Sequence, residues 1–568
     1  MWFLAFLLII NLFLPHHVMA VVDPSVRPNN RYGIHVADTS ELAEVADLVN
    51  SNGGDWGYVT LVIQDNDRDA HKWQTVFDQM RRLHLIPLLR LATHVDNASW
   101  LKPDPGEIDY WVEFLDSLNW PIKNRYVILF NEPNHAKEWG NQLDPESYAD
   151  LLVDFSRQLK TRSEDFFILP AGLDFSAATN KESLDAAVFL RRMFLAQPAL
   201  CQSIDGWTSH SYPNPNFSAS PYDQGRGSLY GFNWELAFLN QLGCIRQLPV
   251  FITETGWQHR QGQNINRYLL APQQVADYIT IASQTVWQDK RLVAITPFIF
   301  SYQGGPFDHF SWKVLGAASY HPHYYAYQAI PKSKGQPQQE EHYSLASQLV
   351  PDYLVAHSLY RLNAGLINQG QAIIDQEQGY QLVFEDQAVG FSALIDRLSY
   401  IEPNQQENLT IYLKTPPEPG VYKVKVALQY NQEEFILEEK EVAILPPPSL
   451  SLKLNLGWRA DKQAEQVAVL IYDQSESVVY EFTDQTIING CLEIAQLFNI
   501  IPGEKYRVVA LVPYYLPQQA ITILSSGKTE VKFSRLLPLD FNQDGWLSFQ
   551  DYWASFRLTP FKHWRLWF

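Results

Sequence analysis

Between Arg31 and about Ile330, short apolar runs alternate with stretches of helical period. The runs begin near Arg31, Gly57, Leu85, Arg125, Phe166, Asp205, Pro249 and Val293, are four to eight residues long, and are rich in Val, Ile, Leu, Phe and Tyr. Unbroken apolar runs of that length belong to strands covered on both faces, as parallel strands beneath helices are. Between them, stretches such as Tyr148 to Leu159 and Pro272 to Gln288 repeat apolar residues at intervals of three and four, which gives a helix one apolar stripe. Eight strands spaced 26 to 44 residues apart predict an α/β chain in which residues 28–330 form a (β/α)8 TIM barrel. An open doubly wound sheet is the competing arrangement, but no GxGxxG follows the first strand.

The pattern changes after Pro331 to Glu340, a polar segment that reads as a linker or exposed loop. Val421, Tyr422, Val424, Val426 and Leu428 are interleaved with polar residues, and after a turn over Tyr430 to Glu434 a second run extends from Phe435 to Ile444. Period-two alternation with few helical stretches predicts a β-sandwich over 342–445, similar to immunoglobulin-like accessory modules. Pro446, Pro447, Pro448 and Ser449 read as a stiff spacer, followed by a second all-β sandwich module over 450–536. Residues 1–20 hold an apolar stretch too short to span a bilayer, and Val18 with Ala20 has the small-residue spacing of a signal-peptidase site. A cleaved secretion signal is expected there. No Lys or Arg precedes the stretch, so an uncleaved anchor is the alternative.

Composition narrows the functional classes. With 43 Lys plus Arg against 62 Asp plus Glu, the net charge of -19 repels a phosphate backbone and argues against a nucleic-acid partner. Aromatics reach 14%, enough for binding platforms as well as cores. Of three cysteines, Cys201 and Cys244 each stand just before a predicted strand on neighbouring barrel units. A disulfide between them, with Cys491 free, is expected in an oxidising compartment, and two buried thiols are the alternative.

The fourth predicted strand ends in Phe130-Asn131-Glu132-Pro133-Asn134 and the seventh in Ile252-Thr253-Glu254-Thr255-Gly256-Trp257. Barrel sites are built where strands end and βα loops begin, so both glutamates face one mouth. Asn131-Glu132-Pro133 and Glu254 resemble the acid/base and nucleophile of the retaining glycoside hydrolase clan that includes cellulases, β-mannanases, endo-β-galactanases and β-xylosidases. His210-Ser211-Tyr212 at the end of strand six is similar to the clan's His-x-Tyr. The resemblance covers about half the chain and implies a secreted retaining β-glycoside hydrolase acting on a polysaccharide or oligosaccharide without a catalytic cofactor. It implies Glu132 and Glu254 as catalytic residues, with Asn131, His210, Tyr212, Trp257 and Arg90 at the substrate. A non-catalytic carbohydrate-binding or surface-adhesion protein on a barrel scaffold is the alternative. A barrel metallohydrolase using His35, His94 and His210 is a third reading, weakened because strand one lacks HxH. Trp139 and Trp312 suit either sugar stacking or core packing.

Near the C-terminus, Asp540, Asn542 and Asp544 stand at loop positions 1, 3 and 5, Gly545 at 6, Trp546 at 7 and Asp551 at 12. Converging oxygens around a glycine turn predict one calcium ion held by Asp540, Asn542, Asp544, the Trp546 carbonyl and Asp551. Asp at position 12 with Leu547 at 8 resembles the loop of dockerin modules, which gives 537–568 an EF-hand/dockerin-like character and implies a cell-surface or cohesin-like partner. Dockerins carry two such loops and this chain carries one. Asp65, Asp67 and Asp69 imitate the pattern without the glycine and read as a solvated acidic loop. Trp553, Trp564 and Trp567 in the terminus read as packing or partner surface.

Overall fold

Eight short strands, each followed by a helix, build the first part of the chain. The strands are β1 Gly33–His35, β2 Gly57–Gln64, β3 Leu85–Ala92, β4 Arg125–Leu129, β5 Phe166–Pro170, β6 Trp207–His210, β7 Val250–Glu254 and β8 Leu292–Ile295. The helices are α1 Leu42–Val49, α2 Ala70–Arg82, α3 Ile108–Ser117, α4 Pro145–Arg162, α5 Ala186–Ala196, α6 Gly231–Gln241, α7 Pro272–Gln284 and α8 Pro322–Gln328. The computed structural model describes residues 21–386 and 390–556. The expected leader over 1–20 and the tryptophans Trp564 and Trp567 lie outside them. The chain divides into two compact units, Met1–Glu341 and His342–Phe568.

In the first unit β1 to β5 form one parallel sheet and β6 to β8 another. The Asp205 amide donates to the Ile168 carbonyl at 2.9 Å, joining β5 to β6. Tyr32 pairs in parallel with Ile295, whose amide donates to the Arg31 carbonyl at 2.8 Å, joining β8 to β1. The two sheets are therefore one ring of parallel strands with the helices outside, and this closure gives the ring a single C-terminal mouth. Successive strand residues serve two cores. Val59, Leu61, Leu89, Leu91, Val127 and Leu129 pack with the helices. Tyr58, Ile86, Leu88, Tyr126, Ile128, Phe167, Leu169 and Phe251 fill the ring from within. Carrying the inward parity of Ile86 and Leu88 one step further places Arg90 at the mouth. Helix α2 illustrates the sequence logic. Asp69 caps it by accepting from the His71 and Lys72 amides, and Trp73, Val76, Phe77 and Met80 make its buried stripe. Cys201 and Cys244 are disulfide-bonded, with Cα atoms 5.4 Å apart.

The second unit contains two β-sandwiches. In one, the strand Leu359–Asn368 turns Tyr360, Leu362 and Ala364 inward, and Gly420–Tyr430 contributes Val424, Val426 and Leu428 to the same core. Val421 is 68% exposed, so the period-two pattern begins three residues later than the apolar residues do. Asn431 and Gln432, both left-handed at φ 48° and 69°, make the tight turn into Glu433–Leu445. The other core gathers Leu450, Leu452, Val467, Val469, Val508 and Val531. The prolines do not act as a free spacer. The Tyr360 hydroxyl donates to the Ile500 carbonyl at 2.7 Å, and the Asn499 amide donates to Ser358 Oγ at 2.9 Å. These bonds, with Val355 buried in the second core, tie the sandwiches into one unit.

The expected EF-hand helix pair is not formed among the described residues: the element before the loop is a strand, Lys528–Leu536, and a single helix, Phe549–Ser555, follows it. That helix starts in a capping box between Ser548 and Asp551.

Candidate active site

The cleft at the ring's mouth has a volume of about 340 Å³, within the range of small-molecule sites. Glu132 follows β4 in a strained stretch, with Phe130 at φ 73° and Glu132 at φ 29°. Its amide donates to the Gly172 carbonyl at 3.1 Å, which fixes the turn. Such left-handed non-glycine residues persist where the surroundings over-determine them. Glu254 is the last residue of β7 and is 8% exposed. Its Oε1 accepts from Arg90 Nη1 at 2.6 Å, and its Oε2 from the Tyr212 hydroxyl at 3.1 Å. His210 Nδ1 lies 2.8 Å from Glu132 Oε1 and 3.8 Å from Glu254 Oε2, so as a donor it bridges towards both acids. Carboxylate oxygens of Glu132 and Glu254 and a nitrogen of His210 all lie within 4.8 Å of one another.

Electrostatics separate the groups. Burial alone pushes the Glu254 carboxyl up, but the charges of His210 and Arg90, with the Tyr212 hydrogen bond, hold it below its ordinary value. Burial works against a charged His210, and the Glu254 charge and the Glu132 hydrogen bond raise it nonetheless. Glu254 is thus poised as an anion beneath the cleft. The same three side chains have the spacing of a cation site. Arg90 already places a fixed positive charge on Glu254, and a divalent ion there would have to overcome it.

Around this pair the cleft has two characters. One wall is polar. Arg90 Nη1 donates to Asn131 Oδ1 at 2.8 Å, and Asn131 Nδ2 donates to Glu138 at 3.4 Å, so the Asn131 amide is held from both ends. His135 and Asp174 pair at 3.0 Å, and burial with the Glu132 charge raises the Glu138 carboxyl. The other wall is aromatic: Phe217, Phe298, Phe307 and Phe310 line it, with Trp100 also on the cleft.

No protein-family model matches the sequence, and no curated protein matches it. Solved structures do. Among them are a monomeric β-xylosidase from Caulobacter crescentus (13% identity, 83% of this chain and 98% of that one, TM-score 0.38), a family 39 glycoside hydrolase from Bacteroides cellulosilyticus (13%, 70% and 82%, 0.37), and a β-mannanase from Thermomonospora fusca (13%, 55% and 96%, 0.35). These structural neighbours are glycoside hydrolases. TM-scores of this size leave the site's chemistry to be argued from its own residues.

The structure brings together Glu132, Glu254, Asn131, His210, Tyr212 and Arg90. Trp257 is a correction: it is 3% exposed, packs at a tilt against Tyr278, and donates from Nε1 to the Ala219 carbonyl at 2.9 Å, away from the cleft. Its bulk suited the core between β7 and α7 better than a wet mouth. Trp139 and Trp312 are core residues as well. His35, His94 and His210 do not form a ligand set: His94 pairs with Asp65, and His35, buried against Phe298, has no hydrogen-bond partner among the described residues and is pushed down to about 3 by burial and the Arg90 charge. Sequence reasoning missed Gly172. A Cβ there would lie 2.2 Å from the His210 ring, so the residue must be glycine for His210 to sit behind Glu132.

At the C-terminal loop Asp540 is 2% exposed and its Oδ2 accepts from the Gly545 amide, while Oδ1 is buried with no partner among the described residues. Burial and the charges of Asp551 and Asp544 raise the Asp540 carboxyl. Asn542 Nδ2 donates to Asp544, the Trp546 amide donates to Asp544, and Asp551 accepts from the Asn542 and Ser548 amides. Asp551 thus caps the exit helix.

Proposed function

We propose that the barrel unit is a retaining β-glycoside hydrolase that cleaves O-glycosidic bonds in poly- or oligosaccharides by double displacement. The observation that carries this reading is the approach of one carboxylate oxygen of Glu132 to one of Glu254 within 4.8 Å. Retaining enzymes hold their two carboxyls about 5 to 5.5 Å apart, whereas inverting ones leave room for a water at about 6.5 Å or more. Glu132 protonates the departing oxygen while Glu254, ionised beneath the anomeric carbon, attacks it. Glu132 then takes a proton from the water that releases the sugar. Arg90 and Tyr212 orient Glu254, His210 orients Glu132, and Asn131, held by Arg90 and Glu138, faces the sugar 2-hydroxyl. Phe298, which lines the cleft beyond β8, offers the sugar an aromatic face. Proton NMR of the first product from a β-xylan, β-mannan, β-glucan or β-galactan oligosaccharide tests this: retained configuration is expected, and inversion removes Glu254 as nucleophile.

For the C-terminal loop we propose one calcium ion at Asp540, Asn542, Asp544, the Trp546 carbonyl and Asp551. The unpartnered Asp540 Oδ1 and the mutual repulsion of the loop's acids support it, because a cation satisfies both. Beside it, Phe549, Tyr552 and Trp553 are 71%, 55% and 61% exposed, which suits a cell-surface or cohesin-like partner. Calorimetry of the full chain with calcium, lost in Asp540→Ala with Asp544→Ala, checks the ion. Export with cleavage after Ala20 is proposed too, supported by the Cys201–Cys244 disulfide. N-terminal sequencing that begins at Met1 overturns it.

A further inference from the structure

The β6–α6 loop, residues 211–230, does more than carry Tyr212. It encloses a second, more open cavity lined by Ser176, Asn214, Asn216, Phe217, Asp223 and Gln224. Phe217 lines the catalytic cleft as well, so the two cavities meet at its ring. They meet again across the loop after β5: Asp174 lines the cleft, and its Oδ1 accepts from both the amide and the hydroxyl of Ser176 at 2.7 and 2.6 Å. The rim between the cavities is therefore built from both sides.

The character of the second cavity differs from that of the first. Its side chains are amides and hydroxyls with one carboxylate, groups that donate and accept in the pattern sugar hydroxyls require. The Asn214 and Asn216 side chains donate to or accept from no other group among the described residues, so both amides are available to a ligand. The loop is also fixed in place. Asn216 and Phe217 are both left-handed, at φ 58° and 51°. Two successive L-residues in that region are costly, and the loop holds them there through its attachments. The Asn214 amide donates to the Gly227 carbonyl at 2.9 Å, the Gln258 amide to the Phe217 carbonyl at 3.2 Å, and Trp257 Nε1 to the Ala219 carbonyl at 2.9 Å. The Phe217 ring leans on Tyr212 and Phe310, with centroids 4.9 and 5.2 Å away. Tyr212 in turn donates to Glu254. A rigid aromatic ridge thus stands between the reacting carboxylates and a polar hollow.

We infer that this hollow is a second sugar-binding subsite, in which the residue next to the cleaved one lies across Phe217 and hydrogen-bonds to Asn214, Asn216 and Gln224. The inference rests on the proposed glycosidase reading and deepens it: the substrate is a chain of neutral sugars engaged beyond the scissile bond, and the site selects oligosaccharides over simple glycosides. Preorganisation is what makes such a subsite effective, since little side-chain entropy is lost when the second residue binds.

The test measures kcat/KM of the full chain on β-1,4-linked xylo-, manno- and cello-oligosaccharides and β-galacto-oligosaccharides of two to five residues, and on the matching 4-nitrophenyl glycosides. For the sugar that is cleaved, kcat/KM is expected to rise by about tenfold or more from two residues to four, as further residues add binding. Asn216→Gly with Gln224→Ala removes two polar groups, and glycine keeps the left-handed backbone without strain. That variant is expected to lower the ratio of tetrasaccharide to nitrophenyl-glycoside kcat/KM by about tenfold, the loss of a few hydrogen bonds. Phe217→Ala should lower the same ratio. A rate independent of chain length, or a ratio unchanged in the variants, overturns the subsite and leaves the glycosidase reading standing. Absence of any hydrolysis in wild type removes that reading instead. The hollow is then judged by calorimetry of Glu132→Gln with the same tetrasaccharides: heat lost in the Asn216→Gly, Gln224→Ala background supports it, and no heat overturns it.

Discussion

His210 and the trio His259, His321 and His323 are hidden from water to a similar degree, at 6%, 0%, 3% and 1% exposure, and they titrate in opposite directions. At the mouth, His210 faces two carboxylates that raise it against the penalty of burial. The trio sits beyond the loop that follows β7, with ring centroids 4.3 Å apart for His259 and His321, and 5.4 Å for His259 and His323. Burial depresses all three, His321 depresses His259 further, and His259 and His321 depress His323: His259 is pushed down to about 4, and His323 lies well below its ordinary value. His259 donates from Nε2 to the Ser311 carbonyl, while His309, Asp308 and the edge-on Trp312 complete the surroundings. Nε2 of His321 and Nδ1 of His323 have no partner among the described residues. Burial lowers the imidazole in both places, and only at His210 do neighbouring carboxylates reverse the sign. The two regions are joined by the short segment from Glu254 to His259, so perturbing one end reports on the other.

Removing the carboxylates breaks the comparison at its charged end and should give the largest effect. Glu132→Gln and Glu254→Gln are each expected to lower kcat by about 10³-fold with the melting temperature little changed. With Glu254→Ala, azide should restore turnover of an activated aryl glycoside and yield the inverted glycosyl azide. A fall of less than about tenfold in either variant, measured on an aryl glycoside, would take that residue out of the reaction.

The uncharged end is broken by acid. A base depressed in the folded state binds its proton more readily when unfolded, so stability is lost as pH falls from about 6.5 towards 4. For His259 alone the span corresponds to roughly 3 kcal/mol. His210 has the opposite sign: its contribution is present at low pH and is lost as pH rises through its raised value. His323→Leu, close in volume and giving up no hydrogen bond at Nδ1, should leave the melting temperature nearly unchanged at pH 7.5 and raise it above wild type at pH 5. Parallel pH profiles for the two proteins would mean that His323 takes no part in the acid loss.

How much of this was legible beforehand follows from what local pattern encodes. The eight strands begin within two residues of where apolar runs predict, because a strand covered on both faces must be apolar throughout and few other elements are. Glu132, Glu254, Arg90 and Tyr212 were legible because strand ends in a barrel converge by topology. Trp257, Trp139 and Trp312 were not, since a loop tryptophan looks alike in sequence whether it faces sugar or core. The aromatic wall that Phe217, Phe298, Phe307 and Phe310 form together is not encoded locally, because its members come from two long loops with no periodicity. The histidine trio is scattered between the seventh strand and the last helix, and only the folded ring assembles it. The fusion of the two sandwiches is equally invisible, because it depends on side chains such as Tyr360 meeting backbone about 140 residues away.

Gly172→Ala sharpens the charged end without touching a charge. The new methyl would fall 2.2 Å from the His210 ring and 2.3 Å from its Nε2, so the imidazole must move off Glu132. Misplacing a positioning group by a fraction of an ångström costs tens of fold in rate. We expect kcat/KM on an aryl glycoside to drop by about 30-fold, with the carboxylates and the ring intact. The alkaline side of its pH profile should also move, because His210 loses the carboxylates that raise it. A rate drop with an unmoved profile would assign the effect to backbone distortion at Glu132, whose amide bonds the same residue.

The smallest effect is expected in the segment that joins the two regions. Trp257 stands between Glu254 and His259, buries its ring against Tyr278, and bonds the Ala219 carbonyl. Trp257→Phe keeps an aromatic ring in the core and removes the one hydrogen bond, a loss of about 1 kcal/mol. In a barrel of about 300 residues that amounts to a fall of roughly 1.5 °C in melting temperature. The kinetic consequence separates two ways of holding the site. Ala219 lies two residues beyond Phe217, so a loosened loop moves the aromatic ridge, whereas Glu254 is also anchored by Arg90 on β3, outside that loop. KM for a tetrasaccharide should therefore rise several-fold while kcat stays near wild type. Should kcat fall and KM hold, the strain has travelled along β7 to the nucleophile, and the mouth and the histidine trio behave as one cooperative unit.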